Sequence, residues 1–398
     1  MFLSRFLNLL IIFLVFFVSV ATPVLSNAKS AIFFHPDGMG VNTWQVLRYI
    51  KALPKEGLNW DKLDNIGVYV GNLSDSAVAT SNGGATVHAY GVIAKADSYG
   101  LLDGEVITSQ SGFRGTIVEE VKFNGFKTAL INSGSVIEPG TGVFVARSKS
   151  RYDYDSITEQ VLSSGVDVIL SGGEKHMLPK GVRGRHGYGT RRDGENLIDQ
   201  AVKNGYKVVY TKEELREAVK EKPDKLLGVF ASGHTFNDMP EEKLIKMGLP
   251  HYFEHAPTVG QMTDAALELF KGQKFFMVVE EEATDNFLNE GNPHAVIGAA
   301  KRADEALGVM LEYRKKYSDT MIITASDSDA GGLQLLAKNK TGHYSYEAEG
   351  GKRIYFDLKN VGLNDYSGGI LVRSTSKIPS VVYNTQIYSI IRQYLLGN

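Results

Sequence analysis

The chain has 398 residues, with 43 Lys and Arg against 45 Asp and Glu, so no excess positive charge draws in a nucleic acid over long range. Apolar residues at 43% and charged residues at 22%, with a mean hydropathy of -0.14, exclude a disordered chain and a multi-span membrane protein. Cysteine is absent, which removes disulfides, thiolate zinc sites and cysteine nucleophiles and leaves oxygen and nitrogen as metal donors.

Arg5 precedes an apolar run from Leu9 to Val18, extended to Leu25, and Ser26-Asn27-Ala28 follows with small residues where a signal peptidase needs them. Residues 1–28 thus read as a secretory signal and 29–398 as a single mature domain, secreted or periplasmic and without a stable membrane span after cleavage. An uncleaved anchor is the alternative, but the unbroken run falls short of the ~20 residues a spanning helix needs. Beyond it, short apolar runs predict strands at Ala31 to Phe34, Ile66 to Val70, Thr128 to Ile131, Val166 to Leu170, Leu226 to Phe230, Phe275 to Val279 and Met321 to Thr324. Thr258 to Phe270 and Val296 to Tyr313 carry apolar residues at helical spacing. Strand-then-helix repetition predicts an α/β three-layer sandwich: a mostly parallel central sheet with helices on both faces. Gly181 to Gly194 reads as a long surface loop whose Arg and His content could contact an anion. The polar insert Lys338 to Gly351 reads as an exposed segment, either a lid or an inert loop.

In such sheets ligands bind beyond the carboxyl ends of the strands. Three strand ends deliver acids there: Asp37 after AIFFH, Glu280, Glu281 and Glu282 with Asp285 after FFMVV, and Asp327 and Asp329 after MIITA. Gathered carboxylates repel one another unless a cation sits among them, which points to a divalent metal held by oxygen; capping of the following helices is the alternative for any single one. Thr80 to Thr86 (TSNGGAT) places Ser81 at a predicted helix start, where unpaired backbone N–H groups stabilise an alkoxide or a phosphate, although serine is also a common cap.

Together these blocks resemble the alkaline phosphatase family: Asp37-Gly38-Met39-Gly40, Ala79 to Val92, Ala129-Leu130, Asp167 to Gly173, Arg192-Asp193-Gly194, Leu227 to His234, Glu280 to Asp285, Thr324 to Leu333 and Asn384 to Ile387, collinear over nearly the whole mature chain. The resemblance implies phosphate monoester hydrolysis through a phosphoserine, assisted by two zinc ions and one magnesium ion. Residue by residue, it makes Ser81 the nucleophile and Arg151 the phosphate clamp, with Arg147 as rival. Asp37 becomes the carboxylate shared between two metals, Glu280 the magnesium glutamate, Glu138 the acidic or histidine residue near magnesium, and Asp285 and Asp327 the zinc aspartates.

The departures concern nitrogen. The family's zinc histidines fall on Asn289, on Ser328 and near Ser367 to Gly369; Thr80 replaces the acid before the nucleophile, and Gly140, beside Thr141, stands where the magnesium threonine is expected. A site of carboxylate, amide and hydroxyl groups favours magnesium, calcium or manganese over zinc. His35, His88 and His343 could enter the site from new directions, although a lone histidine is more often structural. Two functions remain open: a secreted metal-dependent phosphohydrolase acting on a small phosphorylated substrate, or an impaired relative that binds metal, or a phosphorylated ligand or partner, without turnover. A hydrolase altered toward diesters or sulfate esters is a third, and the resemblance also allows a homodimer.

Overall fold

The computed structural model describes residues 29–51, 57–338, 344–348, 351–358 and 365–397. The segment 1–28, His343 and part of the 338–351 insert lie outside the described residues.

Ten strands form one sheet: β1 (Ser30–Pro36), β2 (Asn65–Val70), β3 (Lys127–Ser135), β4 (Val168–Gly172), β5 (Tyr206–Val209), β6 (Lys225–Val229), β7 (Phe275–Glu281), β8 (Thr320–Thr324), β9 (Leu371–Ser374) and β10 (Val381–Tyr383). Their spatial order is β10-β2-β9-β8-β1-β7-β3-β4-β6-β5, and all pairings are parallel except the two that β9 makes, with β8 and β2. Each predicted strand lies within this sheet or overlaps it. Strands β5, β9 and β10 are additions, being short and interrupted by Lys207, by Arg373 or by exposed positions.

The sheet is covered on both faces. Side chains alternate along a strand, so Ala31 and Phe33 of β1 enter one core with α1 (Ser81–Tyr90) and the terminal helix Asn384–Leu396, while Ile32 and Phe34 enter the other. That second core includes side chains of Val259–Leu269, which lies one residue inside each end of the predicted Thr258 to Phe270, and of Pro293–Lys316, which spans the predicted Val296 to Tyr313. At ~1.5–3 kcal/mol per fully buried aliphatic or aromatic side chain, these two cores hold the strands in fixed register without any disulfide. The register fixes the site, because β1 sits centrally with β7 and β8 on its two sides and β3 next to β7.

Two expected loops have more structure than the sequence suggested. In Gly181 to Gly194, the backbone N–H groups of Arg185, His186 and Gly187 donate to Glu174, so the anion this loop meets is the chain's own carboxylate. Arg191 is buried and paired with Asp193. Within the 338–351 insert, Tyr344–Glu347 is a strand paired with Arg353–Leu358 in a three-stranded sheet, rather than a free exposed segment.

Candidate active site

Parallel register lines up the first groups. His35 of β1 pairs with Glu280 of β7, and Glu280 with Asn132 of β3, so the three side chains form a row on the α1 face at the carboxyl end of the sheet. Asp37 follows one residue beyond β1, and Asp327 three beyond β8. His35 Nε2 lies 3.2 Å from Asp37 Oδ1 and 3.8 Å from Asp327 Oδ1. Two groups of donor atoms lie within 4.8 Å of one another, His35 with Asp37 and Glu280, and Asp37 with Glu282 and Asp285. Asp37 is common to both. Alternation turns Glu281 to the opposite face, where it meets Ser133 Oγ at 2.9 Å and Arg302 at 3.3 Å as a structural ion pair. Asp329 also departs from the cluster, accepting from the Gly40 backbone instead.

Two glycines allow the close approaches. A Cβ at Gly140 would lie 1.8 Å from Glu280 Oε1, so the absence of the expected threonine there makes room for the glutamate. Thr141 still contributes, since Asn132 Nδ2 donates both to its hydroxyl, at 2.9 Å, and to Glu280. A Cβ at Gly84 would lie 2.6 Å from the Asp327 Cβ, so the first turn of α1 rests directly on Asp327. Thr80 caps this helix, its Oγ1 accepting from Gly83 N at 3.2 Å, and Ser81 is its first residue.

Ionised together, these acids outnumber the one imidazole, His35, that lies among them. At an effective dielectric of 20, two ionised carboxylates at the 4.8 Å limit of these clusters repel by roughly 3–4 kcal/mol. Burial pushes the Glu280 carboxyl up to about 8, with the Asp37 charge adding to it. Burial, with neighbouring acids, also holds Glu282, Asp285 and Asp327 well above the usual carboxylate range. Burial would lower the His35 imidazole, but Asp37, Asp327 and Glu280 outweigh it and hold it at about 10; the same contact outweighs burial at Asp37 and draws it down to about 2. Both carboxylate oxygens of Asp37 and of Asp327, with Glu280 Oε1, Glu282 Oε2 and His35 Nε2, are buried without a hydrogen-bond partner. Unpartnered buried acids are strongly destabilising, so this donor set fits divalent cations.

A cavity of about 440 Å³ opens onto the cluster, lined among others by Ser81, Glu138, Arg151, His234, Glu282, Asp285, Asn289 and Asp365. Arg151 is tethered at one end, Nη2 lying 3.2 Å from Glu138 Oε2, and its rival Arg147 pairs instead with Glu119 away from the cavity. Asn289 Nδ2 donates to Asp285 Oδ2 at 3.0 Å. His88 is committed to the Tyr69 hydroxyl at 2.6 Å. All of the sequence-predicted residues, Ser81, Arg151, Asp37, Glu138, Glu280, Asp285 and Asp327, therefore border the cavity or the buried cluster.

Sequence reasoning named Glu282 only among the acids at the end of β7, without a ligand role of its own, and passed over His234 and Asp365. Glu282 was legible by alternation, since Glu280 and Glu282 must point the same way and Glu282 makes no side-chain cap to the helix it precedes. Asp365 had no such signal: it lies in the short strand Asp365–Tyr366, paired with Asp329–Ala330, and bonds Ser328 and Asn289, while burial together with Asp37 raises it to about 6.

Comparison with known proteins agrees with this geometry. The alkaline phosphatase family profile matches residues 28–369. The repressible alkaline phosphatase of Saccharomyces cerevisiae is 27% identical over 336 residues, covering 79% of this chain and 57% of that protein. Escherichia coli K12 alkaline phosphatase is 30% identical over 257 residues, covering 56% of this chain and 53% of that protein. The chain thus spans little more than half the length of these curated relatives. Among solved structures, alkaline phosphatase from the Antarctic bacterium TAB5 superposes with a TM-score of 0.74 at 21% identity, covering 93% of this chain and 99% of that one. The Thermus thermophilus enzyme gives 0.72 at 19%, covering 95% and 94%. With a family match across most of its length and the same mostly parallel fold, the chain belongs to the alkaline phosphatase family.

Proposed function

We propose that the protein is an exported, metal-dependent phosphate monoester hydrolase in which Ser81 takes the phosphoryl group. The observation that carries this reading is the placement of Ser81 at the start of a helix clamped onto Asp327, facing the same cavity as Arg151. The positive end of that helix and its first-turn amides attract phosphoryl oxygens. Arg151, held by Glu138, offers its remaining guanidinium N–H groups as a second clamp. The Ser81 hydroxyl gives up its proton as its oxygen bonds to phosphorus and the alcohol leaves; water then releases phosphate and restores the hydroxyl. Bound divalent cations supply charge neutralisation and lower the pKa of hydroxyl and water oxygens. Asp37, Glu138, Glu280, Glu282, Asp285, Asp327 and Asp365 are the carboxylates that would hold them. Asp37 occupies the shared position.

An oxygen-rich donor set favours magnesium on the Asp37–Glu280 side. Variants of the TAB5 enzyme with one histidine replaced by aspartate or glutamate have been solved with magnesium in their M3 site, and Glu138 occupies the position the resemblance gives to such a residue. Export rests on the apolar leader; among described residues no helix is long and apolar enough to cross a membrane.

The test is p-nitrophenyl phosphate hydrolysis by protein 29–398 after chelation and readdition of magnesium, manganese or zinc. Turnover should require metal and fall by several orders of magnitude in Ser81→Ala, with an acid-stable phosphoenzyme trapped only in the wild type. Equal rates in the two proteins, or no turnover with any metal, would favour the binding role that the replaced imidazoles Asn289 and Ser328 otherwise suggest.

A further inference from the structure

We infer that His35 is a metal ligand: its Nε2 supplies, from the first strand, the nitrogen donor that Ser328 does not, at a cation site shared with Asp37 and Asp327. The inference rests on the metal-dependent reading above and specifies one of its sites. His35 is 1% exposed, and its ring is walled by Phe33 and His88 at centroid distances of 5.9 and 5.8 Å. Nδ1 lies 2.9 Å from the backbone oxygen of Ala325. A carbonyl oxygen only accepts, so Nδ1 carries a hydrogen and Nε2 is the nitrogen left to bind a cation. Ligating histidines are oriented in this way, with the far nitrogen donating to a carbonyl or carboxylate.

What Nε2 faces completes the argument. It has no hydrogen-bond partner, and neither have the Oδ1 atoms of Asp37 and Asp327 at 3.2 and 3.8 Å. Donors bound to one ion at about 2.0–2.2 Å stand roughly 3–4 Å apart, so each of these carboxylate oxygens already lies at coordination-sphere spacing from Nε2. Among the described residues, the neighbouring histidines do not compete for the place. His88 Nε2 is engaged by Tyr69 at 2.6 Å, and His234 approaches from across the cavity, with Nδ1 3.9 Å from Glu138 Oε1. One imidazole with two carboxylates moves this site's preference away from magnesium and calcium toward zinc or cobalt, leaving the all-oxygen groups for harder ions.

The experiment is a zinc titration of chelator-stripped protein, labelled with nitrogen-15 at histidine and followed by nuclear magnetic resonance and by competition with a zinc indicator. One imidazole should become metal-bound through Nε2 with Nδ1 protonated; this signal should be missing from His35→Gln, whose tightest zinc site should weaken about 100-fold or more. If His35→Gln does not fold, the wild-type spectrum still decides, because His234 would bind through Nδ1 and the His35 signal must survive in His234→Gln. Tight zinc binding with no Nε2-bound imidazole, an unchanged His35→Gln affinity, or loss of the signal in His234→Gln would overturn the assignment while leaving a carboxylate-held metal intact. Failure of the wild type to bind any divalent ion would remove the metal-dependent reading as well, and this one with it.

Discussion

Arg151 shows how much a single side chain decides. Its Nη2 is fixed 3.2 Å from Glu138 Oε2, and the chain's other candidate, Arg147, is spent on Glu119. A planar fork can hold two phosphoryl oxygens at once, whereas a lysine offers one point charge. Arg151→Lys should therefore raise the KM for p-nitrophenyl phosphate by about 10-fold or more while the fold is retained, a loss of roughly 1.4 kcal/mol or more in binding. Steady-state kinetics with a parallel thermal melt separates the two, and an unchanged KM would remove Arg151 from the phosphate site.

Among the elements, the contact between α1 and the end of β8 matters most. Two small residues, Gly83 and Gly84, open the helix, although glycine costs up to ~1 kcal/mol in a helix interior relative to alanine. Gly84→Ala should improve helix propensity yet lower overall stability, because its Cβ would stand 2.6 Å from the Asp327 Cβ and overpacking costs about 1–3 kcal/mol. The helix would have to lift, carrying Ser81 away from the acids, and a displacement near 1 Å costs about 10²-fold in rate. Thermal denaturation and kcat measured together check this. A variant as stable and as fast as the wild type would show that the helix start does not position the serine.

For the whole molecule, the acidic cluster couples folding to protons and metal. Glu280, Asp329 and Asp365 stand at about 8, 7 and 6 in the folded protein, raised first by burial. A group whose folded pKa is raised stabilises fully below its unfolded value and loses that contribution as pH rises through the folded value. Metal-free protein should therefore lose stability between about pH 4 and pH 8; His35, at about 10 in the folded state, extends the loss from about pH 6.5 toward 10. Asp37, drawn down to about 2, has the opposite sign and matters only in stronger acid. Metal reverses the trend, since a ligand at 1,000 times its Kd adds about 4 kcal/mol, and binding strengthens as the ligands deprotonate. Melting with chelator or with excess divalent metal at pH 5 and pH 8 should show the larger metal-induced rise at pH 8. Equal rises would mean that Glu280 and Asp365 do not bind the metal.

The apolar runs and the acids that follow them made the layered fold and most candidate site residues legible, because burial periodicity and strand-end position are local properties of a chain. Ser81 was legible through its helix-start context. Strands β5, β9 and β10 were not, since Tyr206–Val209, Leu371–Ser374 and Val381–Tyr383 are short and owe their conformation to neighbours already in the sheet. Nor could spacing show that His35 faces Asp327 or that Asp365 returns to Asn289. The sequence by itself determined which chemical groups stand at the strand ends. Which of them stand close enough to share a cation was decided only by tertiary structure, because metal coordination depends on distances of a few ångströms between residues hundreds apart, and strand register sets those distances.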